Sequence, residues 1–215
     1  MDIGFQTCVI CNNKVETKNV VSTLESDATN LDSRPKGIAR CAEKNFVNLC
    51  DNCGYSSFNL SLDITEGHHE ILESKEYLDI FHDPELVKDA KKFYLTGLIL
   101  LDREQYNKAA YSFLRASWFF NDNGNKEWMI KSKKQAINAF LNDEHTFKNE
   151  QQCSIMIDCY RRIGDFDGAI KAIKEFGIEN VQNEYYQKLF KFEEMLALEK
   201  DSSIHSSTEV YEKVQ

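Results

Sequence analysis

The sequence predicts an α+β protein, mostly α, with a small β ribbon at the N-terminus followed by antiparallel helix hairpins. Three observations carry this. Two Cys-x-x-Cys pairs, Cys8–Cys11 and Cys50–Cys53, flank a 38-residue gap. From about residue 84 to 200, apolar residues recur at helical spacing with short breaks. Inside that stretch, small and aromatic residues repeat in the pattern of paired helices.

Each Cys-x-x-Cys makes a tight turn that presents two thiolates. Two such turns at this separation read as one tetrahedral site, so residues 1–63 are expected to form a zinc ribbon holding one structural Zn2+ on Cys8, Cys11, Cys50 and Cys53. Val15–Val21 alternates partly and is β-branched, which predicts a strand; residues 22–37 are polar and end in Arg34-Pro35-Lys36-Gly37, which predicts a long loop. Asn45–Leu49 and Tyr55–Leu62 are expected as strands entering and leaving the second pair. Asn12 and Gly54 each follow the second cysteine of a pair, and both residue types tolerate the left-handed backbone such turns use. A unit of about 60 residues buries too little apolar surface to be secure alone, and bound zinc adds about 10–16 kcal/mol in small zinc domains. Cys41 reads as a buried thiol beside a strand, with a redox neighbour of the metal as the alternative.

Residues 64–83 form a connector with one short amphipathic helix over Glu70–Phe81, carrying Ile71, Leu72, Leu78 and Phe81. Asp83-Pro84-Glu85 is a helix start signal. Residues 84–200 then read as a tetratricopeptide-like helical domain, with helices at about 84–102, 106–121, 126–142, 149–163, 166–176 and 182–200. The repeat consists of Gly97, Tyr106, Ala109, Phe113 and Ala116, echoed by Tyr160, Gly164, Asp165, Phe166, Ala169, Ile170 and Ile173 at an offset of 60 residues. The proline that often closes such a unit is missing from both copies, where Asn121 and Val181 stand. Residues 201–215 have four serines and few apolar anchors, and are expected to be a flexible tail.

Charge narrows the function classes. The chain carries 35 acidic against 26 basic residues, a net −9, and the 1–63 module alone is −2 with six Lys/Arg and eight Asp/Glu. A nucleic-acid binder normally shows a basic footprint, so that partner class is disfavoured, although Lys14, Lys18, Arg34, Lys36, Arg40 and Lys44 are the residues that would supply phosphate contacts. No stretch is apolar enough to span a bilayer, and no signal peptide is visible. An odd count of seven cysteines does not suggest a disulfide framework, which points to a reducing, cytoplasmic setting.

Other candidates rest on local chemistry. Asp27, Asp32 and Arg34 lie in the loop between the two cysteine pairs, and form a possible functional loop ordered over the metal site, with Arg34 pairing with an acid or with the anionic thiolate centre. His68 and His69 are adjacent and do not share a helix face, so they read as a solvated helix start. His82, His145 and His205 are isolated. Cys153 and Cys159 read as packing residues. Trp118, Phe119 and Trp128 could anchor a partner, with burial between helices as the default. No phosphate loop or nucleophile elbow is present, so no catalytic residue is assigned.

Cys8-x-x-Cys11, the run from Asp27 to Pro35, Cys50-x-x-Cys53-Gly54-Tyr55, Ile71–Tyr77 and Ala109–Trp118 together resemble the bacterial uncharacterised proteins grouped as domain of unknown function 2225, over roughly residues 5–200. The resemblance implies a zinc ribbon with tetratricopeptide-type helices, implies the four cysteine ligands, and implies no activity. Val9 and Asp51 occupy turn positions where such sites often carry proline. The functional reading is therefore a non-catalytic, cytoplasmic zinc protein whose helical repeats engage a protein or peptide. The alternatives are a nucleic-acid-associated ribbon and an enzyme using the Asp27/Asp32/Arg34 loop or His68/His69.

Overall fold

The computed structural model describes residues 2–19, 28–178 and 181–214. The protein is mostly helical, with small N-terminal β-hairpins followed by stacked antiparallel helices. The elements are β1 (Asp2–Thr7), β2 (Lys14–Asn19), α1 (Gly37–Ala42), β3 (Asn48–Leu49), β4 (Ser56–Ser57), α2 (Glu70–Glu73), α3 (Lys75–His82), α4 (Lys88–Asp102), α5 (Tyr106–Asp122), α6 (Lys126–Asn142), α7 (Glu150–Arg162), α8 (Phe166–Phe176), α9 (Glu184–Leu198) and α10 (Glu209–Lys213). The chain forms two compact units, and neither is continuous in sequence: Met1–Leu24 with Cys41–Ser132, and Glu25–Arg40 with Lys133–Gln215.

In the first unit, β1 and β2 pair antiparallel with Phe5 opposite Glu16 and Thr7 opposite Lys14, and β3 pairs with β4 through Asn48–Ser57 and Leu49–Ser56. The expected strand over Tyr55–Leu62 is only two residues long. Beyond Ser57 the backbone turns back on the first hairpin, where the Val9 amide donates to the Leu60 carbonyl (2.9 Å) and the Leu60 amide to Gln6 Oε1 (2.8 Å). Ser56 ties this module to α4, its hydroxyl donating to the Lys92 carbonyl at 2.7 Å while accepting from Thr96 Oγ1 at 2.9 Å.

The expected connector helix is two helices. Ser74 is extended, and its hydroxyl accepts from the Tyr77 amide, so it ends α2 and caps α3. The Asp83-Pro84-Glu85 signal begins a turn and not a helix: Asp83 Oδ1 accepts from the Glu85 amide (2.8 Å), and α4 starts at Lys88 after an extended Val87. Of the later helices, α6 and α8 have the bounds read from the sequence, and the others differ by one or two residues at an end.

α4 and α5 pack as one hairpin, and α7 and α8 as another, with α9 against both α7 and α8. In the first hairpin, a Cβ placed on Gly97 would lie 2.7 Å from a ring carbon of Phe113, so the aromatic fills the space that glycine leaves. Phe93 stacks on Phe119 (5.5 Å between centroids), while Trp128 meets Tyr94 (5.2 Å) and Phe120 (5.4 Å). Trp118 and Phe119 are buried, leaving only Trp128 part-exposed among the expected partner anchors.

The second unit corrects the expectation of a flexible tail. Val210 of α10 is fully buried with Leu31, Leu189, Phe192 and Leu196. His205, which looks isolated in sequence, bridges Asp201 (3.0 Å) and Glu209 (2.8 Å). A buried aliphatic residue, a bridging imidazole and backbone bonds to Arg161 and Thr29 anchor a polar segment whose composition alone reads as loose.

Replacing Gly97 with valine forces Phe113 out of a fully buried position. Gly97→Val is expected to lower the unfolding free energy by about 1–3 kcal/mol, read by urea denaturation.

Candidate metal centre and the buried charge cluster

The two cysteine turns are built alike. The Cys8 amide donates to the Asn13 carbonyl (2.9 Å) and the Asn12 amide to the Cys8 carbonyl (2.8 Å). The Cys50 amide donates to the Tyr55 carbonyl (2.8 Å) and the Gly54 amide to the Cys50 carbonyl (2.8 Å). Asn12 (φ 57°) and Gly54 (φ 80°) are left-handed, as the position after each pair predicts. Gly54 is also held from outside: Tyr77 Oη donates to its carbonyl at 2.9 Å, and a Cβ there would meet the Phe81 ring at 3.0 Å.

These turns bring Cys8, Cys11, Cys50 and Cys53 together, with all four sulfurs within 4.8 Å of one another. Cys8 Sγ is 3.6 Å from Cys53 Sγ, and Cys11 Sγ is 3.5 Å from Cys50 Sγ. Bonded sulfurs would be about 2.05 Å apart, whereas two sulfurs on one tetrahedral ion at about 2.3 Å lie about 3.8 Å apart. The cluster therefore fits a single metal ion. Burial pushes the Cys8 and Cys53 thiols above the ordinary range. At Cys11, burial is outweighed by hydrogen bonds from the Asn52 side chain and the Asn13 backbone, which bring it down to about 7. Cys11 thus ionises more readily than Cys8 or Cys53, and a cation at the centre would hold all four as thiolates.

Cys41, expected as a buried thiol beside a strand, is exposed on α1. The loop expected over residues 22–37 ends at Gly37, and Gly37–Ala42, to which the sequence assigned no element, winds into a short helix.

The Asp27–Pro35 loop has a different place from the one its sequence position suggests. Asp27 lies outside the described residues. The remainder docks within the second unit: Thr29 bridges Pro35, Asn30 bridges Ser206, and the Ser207 amide donates to the Thr29 carbonyl at 2.8 Å. Ser33 (φ 62°) makes the tight turn that lets Leu31 enter the core. Asp32 and Arg34 are both buried. Asp32 Oδ2 accepts from Lys133 Nζ (3.2 Å), and Asp32 Oδ1 takes the Arg34 backbone N–H (3.4 Å).

Asp32 is one edge of a buried ionic cluster. Lys133 Nζ also faces Asp158 (3.7 Å) and Cys159 Sγ (3.8 Å). Asp158 accepts from Arg161 Nη2 (2.6 Å), Arg161 Nε donates to Glu193 (2.8 Å), and Arg161 Nη1 donates to the carbonyls of Asp201 and Ser203, each at 2.8 Å. Arg161 and Glu193 are fully buried. Burial opposes the charges, but Cys159, Asp32 and Asp158 hold Lys133 above its ordinary value, and Asp158 and Glu193 do the same for Arg161. Burial, reinforced by Asp158, pushes Glu193 up to about 8 against the pull of Arg161. Burial also raises Cys159 to about 12, so it is a packed thiol and not a nucleophile.

Sequence reasoning missed Lys133, Asp158, Arg161 and Glu193. The signal was available. Lys133 falls on the stripe of Met129, Ala136, Ile137 and Phe140, and Glu193 between Leu189, Phe192 and Leu196, so each is a charge at a core-facing helical position.

The remaining histidines do not assemble a reactive site. His68 pairs with Asp102 (2.8 Å) and His69 with Asp63 (3.4 Å). Ser203 Oγ lies 3.0 Å from His205 Nε2, with Glu209 on Nδ1, an order suggestive of a nucleophile, base and orienting acid. Asp201 occupies the same Nε2 at 3.0 Å, however, so the nitrogen that would take the serine proton already faces a carboxylate.

A module of small hairpins bearing a four-cysteine cluster, followed by antiparallel helix hairpins, defines the class of protein. Residues 6–203 match the family described as "Uncharacterized protein conserved in bacteria (DUF2225)", and the chain belongs to that family. Neither the curated proteins nor the solved structures returned a match.

Two outcomes test the buried cluster. Arg161→Met leaves Asp158, Glu193 and two carbonyls without their donor, and is expected to cost about 3–5 kcal/mol in chemical denaturation. Because the folded-state pKa of Glu193 is raised, the native state holds the proton more tightly than the unfolded chain. Its contribution to stability is full below about 4.5 and declines as pH rises through about 8. The stability of Glu193→Gln relative to the parent protein should therefore increase from pH 5 to pH 8, measured at matched metal content.

Proposed function

We propose that this is a non-catalytic zinc protein in which a structural four-cysteine site stabilises the N-terminal module and the helix hairpins serve protein–protein interaction. The observation that carries the reading is the cluster of four sulfurs, all within 4.8 Å. An all-sulfur donor set favours zinc among abundant divalent ions, and four protein ligands fill a tetrahedral shell, leaving no position for an activated water. The metal's role is then to hold two turns that a module with so small a core could not hold by itself.

Other observations support the setting. All seven cysteines are free thiols, in keeping with a reducing compartment such as the cytoplasm. Among the described residues, no helix is long and apolar enough to cross a membrane. For a peptide or protein partner, the most suitable place is a groove of about 320 Å³ where Trp128 lies beside Ile80, Asp79, Asp83 and Lys131. A half-buried tryptophan flanked by charges of both signs is a suitable anchor for a short segment.

The test is metal content. Purified protein should carry about one zinc per chain by elemental analysis, and Cys50→Ser should lose it together with the amide protection of β3 and β4. Iron in place of zinc, or a Cys50→Ser protein with an intact N-terminal module, would overturn the reading.

A further inference from the structure

In the first unit, one groove stands out by its charge. It has a volume of about 460 Å³ and is lined, among the described residues, by Lys14, Lys18, Lys44, Lys88 and Lys92 against two acids, Glu16 and Asp51. The chain as a whole has nine more acids than bases, so a local excess of three cations runs opposite to its general charge.

Each lysine pair is presented at the period of its own element. Lys14 and Lys18 alternate onto one face of β2, and Lys88 and Lys92 are one turn apart on α4. Lys44 comes from the short turn of helix over Glu43–Asn45. Like charges so arranged repel, and Lys88 stands in the first turn of α4, the end where the helix dipole disfavours a cation. Stability alone therefore does not account for the arrangement.

Compensation within the protein is partial. Lys88 pairs with Asp51 (2.6 Å), and Lys92 pairs with Asp89 (2.8 Å) while donating to the Lys44 carbonyl. Lys14 lies over the Phe5 ring at 4.4 Å. Lys14, Lys18 and Lys44 are exposed and have no carboxylate partner among the described residues. Asn13, Asn45 and Asn48 add amide groups to the wall, and Val15, Val47 and Leu49 supply apolar lining.

We infer that this groove binds a compact phosphorylated anion, one carrying two or more linked phosphates. Lysine ammonium groups bind phosphate as point charges, and several converging ones are needed to match a diphosphate or triphosphate. The volume suits a molecule of nucleotide size. Among the described residues the lining contains no aromatic side chain and no arginine, so these offer no platform for stacking successive bases, which disfavours a nucleic-acid strand. Linked phosphate could come as free pyrophosphate or as the diphosphate of a nucleotide; the chemistry recognised is the same. Because Asn13 and Asp51 adjoin the metal-site turns, the inference rests on the N-terminal module being held by its metal.

The test is calorimetric titration of the zinc-loaded full chain with pyrophosphate and, separately, with ADP, with bound zinc measured before and after. Either ligand should bind, and the affinity should fall as ionic strength rises. Lys18→Glu/Lys44→Glu changes two exposed side chains and should weaken binding about tenfold or more with zinc content unchanged. Lys171→Glu/Lys174→Glu alters the net charge equally on exposed α8 positions and should leave affinity intact. Binding of ADP but not of pyrophosphate assigns the nucleotide as the source, and binding of both with equal affinity assigns the diphosphate alone. No binding of either at about 5 mM by zinc-loaded protein overturns the inference, as does equal weakening by the α8 variant, or tight binding of a 20-nucleotide RNA with neither small anion bound. Loss of zinc from the unmodified chain before titration would count against the metal reading and not against the groove.

Discussion

The constraint on which the first unit depends is the meeting of four sulfurs from turns that 38 residues separate. The hairpin at the second turn is minimal: β3 and β4 contribute two residue pairs, against six for β1 and β2. Ladders that short do not persist in water by themselves. Both turns use the same backbone bonds and the same left-handed residue after the second cysteine. The protein thus spends its local geometry on aiming four sulfurs at one point, a cluster that fits a metal ion, and ties Ser56 and Gly54 to the following helices.

The second unit uses the opposite strategy. Its centre is a buried set of ionisable groups, Asp32, Lys133, Asp158, Arg161 and Glu193, around which apolar residues close. Such a set adds little to stability compared with well-packed hydrocarbon, but it is intolerant of any partial arrangement. Arg161 alone fixes two carboxylates and two backbone carbonyls, so it sets the path of the chain after α9 as well as the seat of α7. Asp32, conspicuous in sequence as part of a possible reactive loop, belongs to this cluster, with the Arg34 backbone N–H on its other oxygen.

The parts legible in sequence were those with a strong local cause. Cys-x-x-Cys spacing announced the cluster, helical periodicity announced α5, α6 and α8 to within a residue, and Gly97 with Phe113 announced the hairpin contact. What stayed hidden depends on partners distant in sequence. The Asp27–Pro35 loop carries one large apolar residue, Leu31, and nothing local says that it is a core residue among Leu189, Phe192, Leu196 and Val210. The lysines of β2 look like an ordinary solvated strand until Lys44, Lys88 and Lys92 join them. Asp83-Pro84-Glu85 misled because an acid before proline caps a turn as readily as a helix.

The interleaving of the two units has a consequence for synthesis. The segment around Thr29 leaves the ribosome long before its partners: Asp32 precedes Lys133 by 101 residues, and Thr29 precedes Ser206 by 177. At about 5–20 residues per second, that is a wait on the order of ten seconds or more. During it, the four cysteines and the α4–α5 hairpin are already available to one another, while the intervening loop has nowhere to bind. The nascent chain must therefore bring its four cysteines together before the partners of the Thr29 segment, Lys133 and Ser206, have been made.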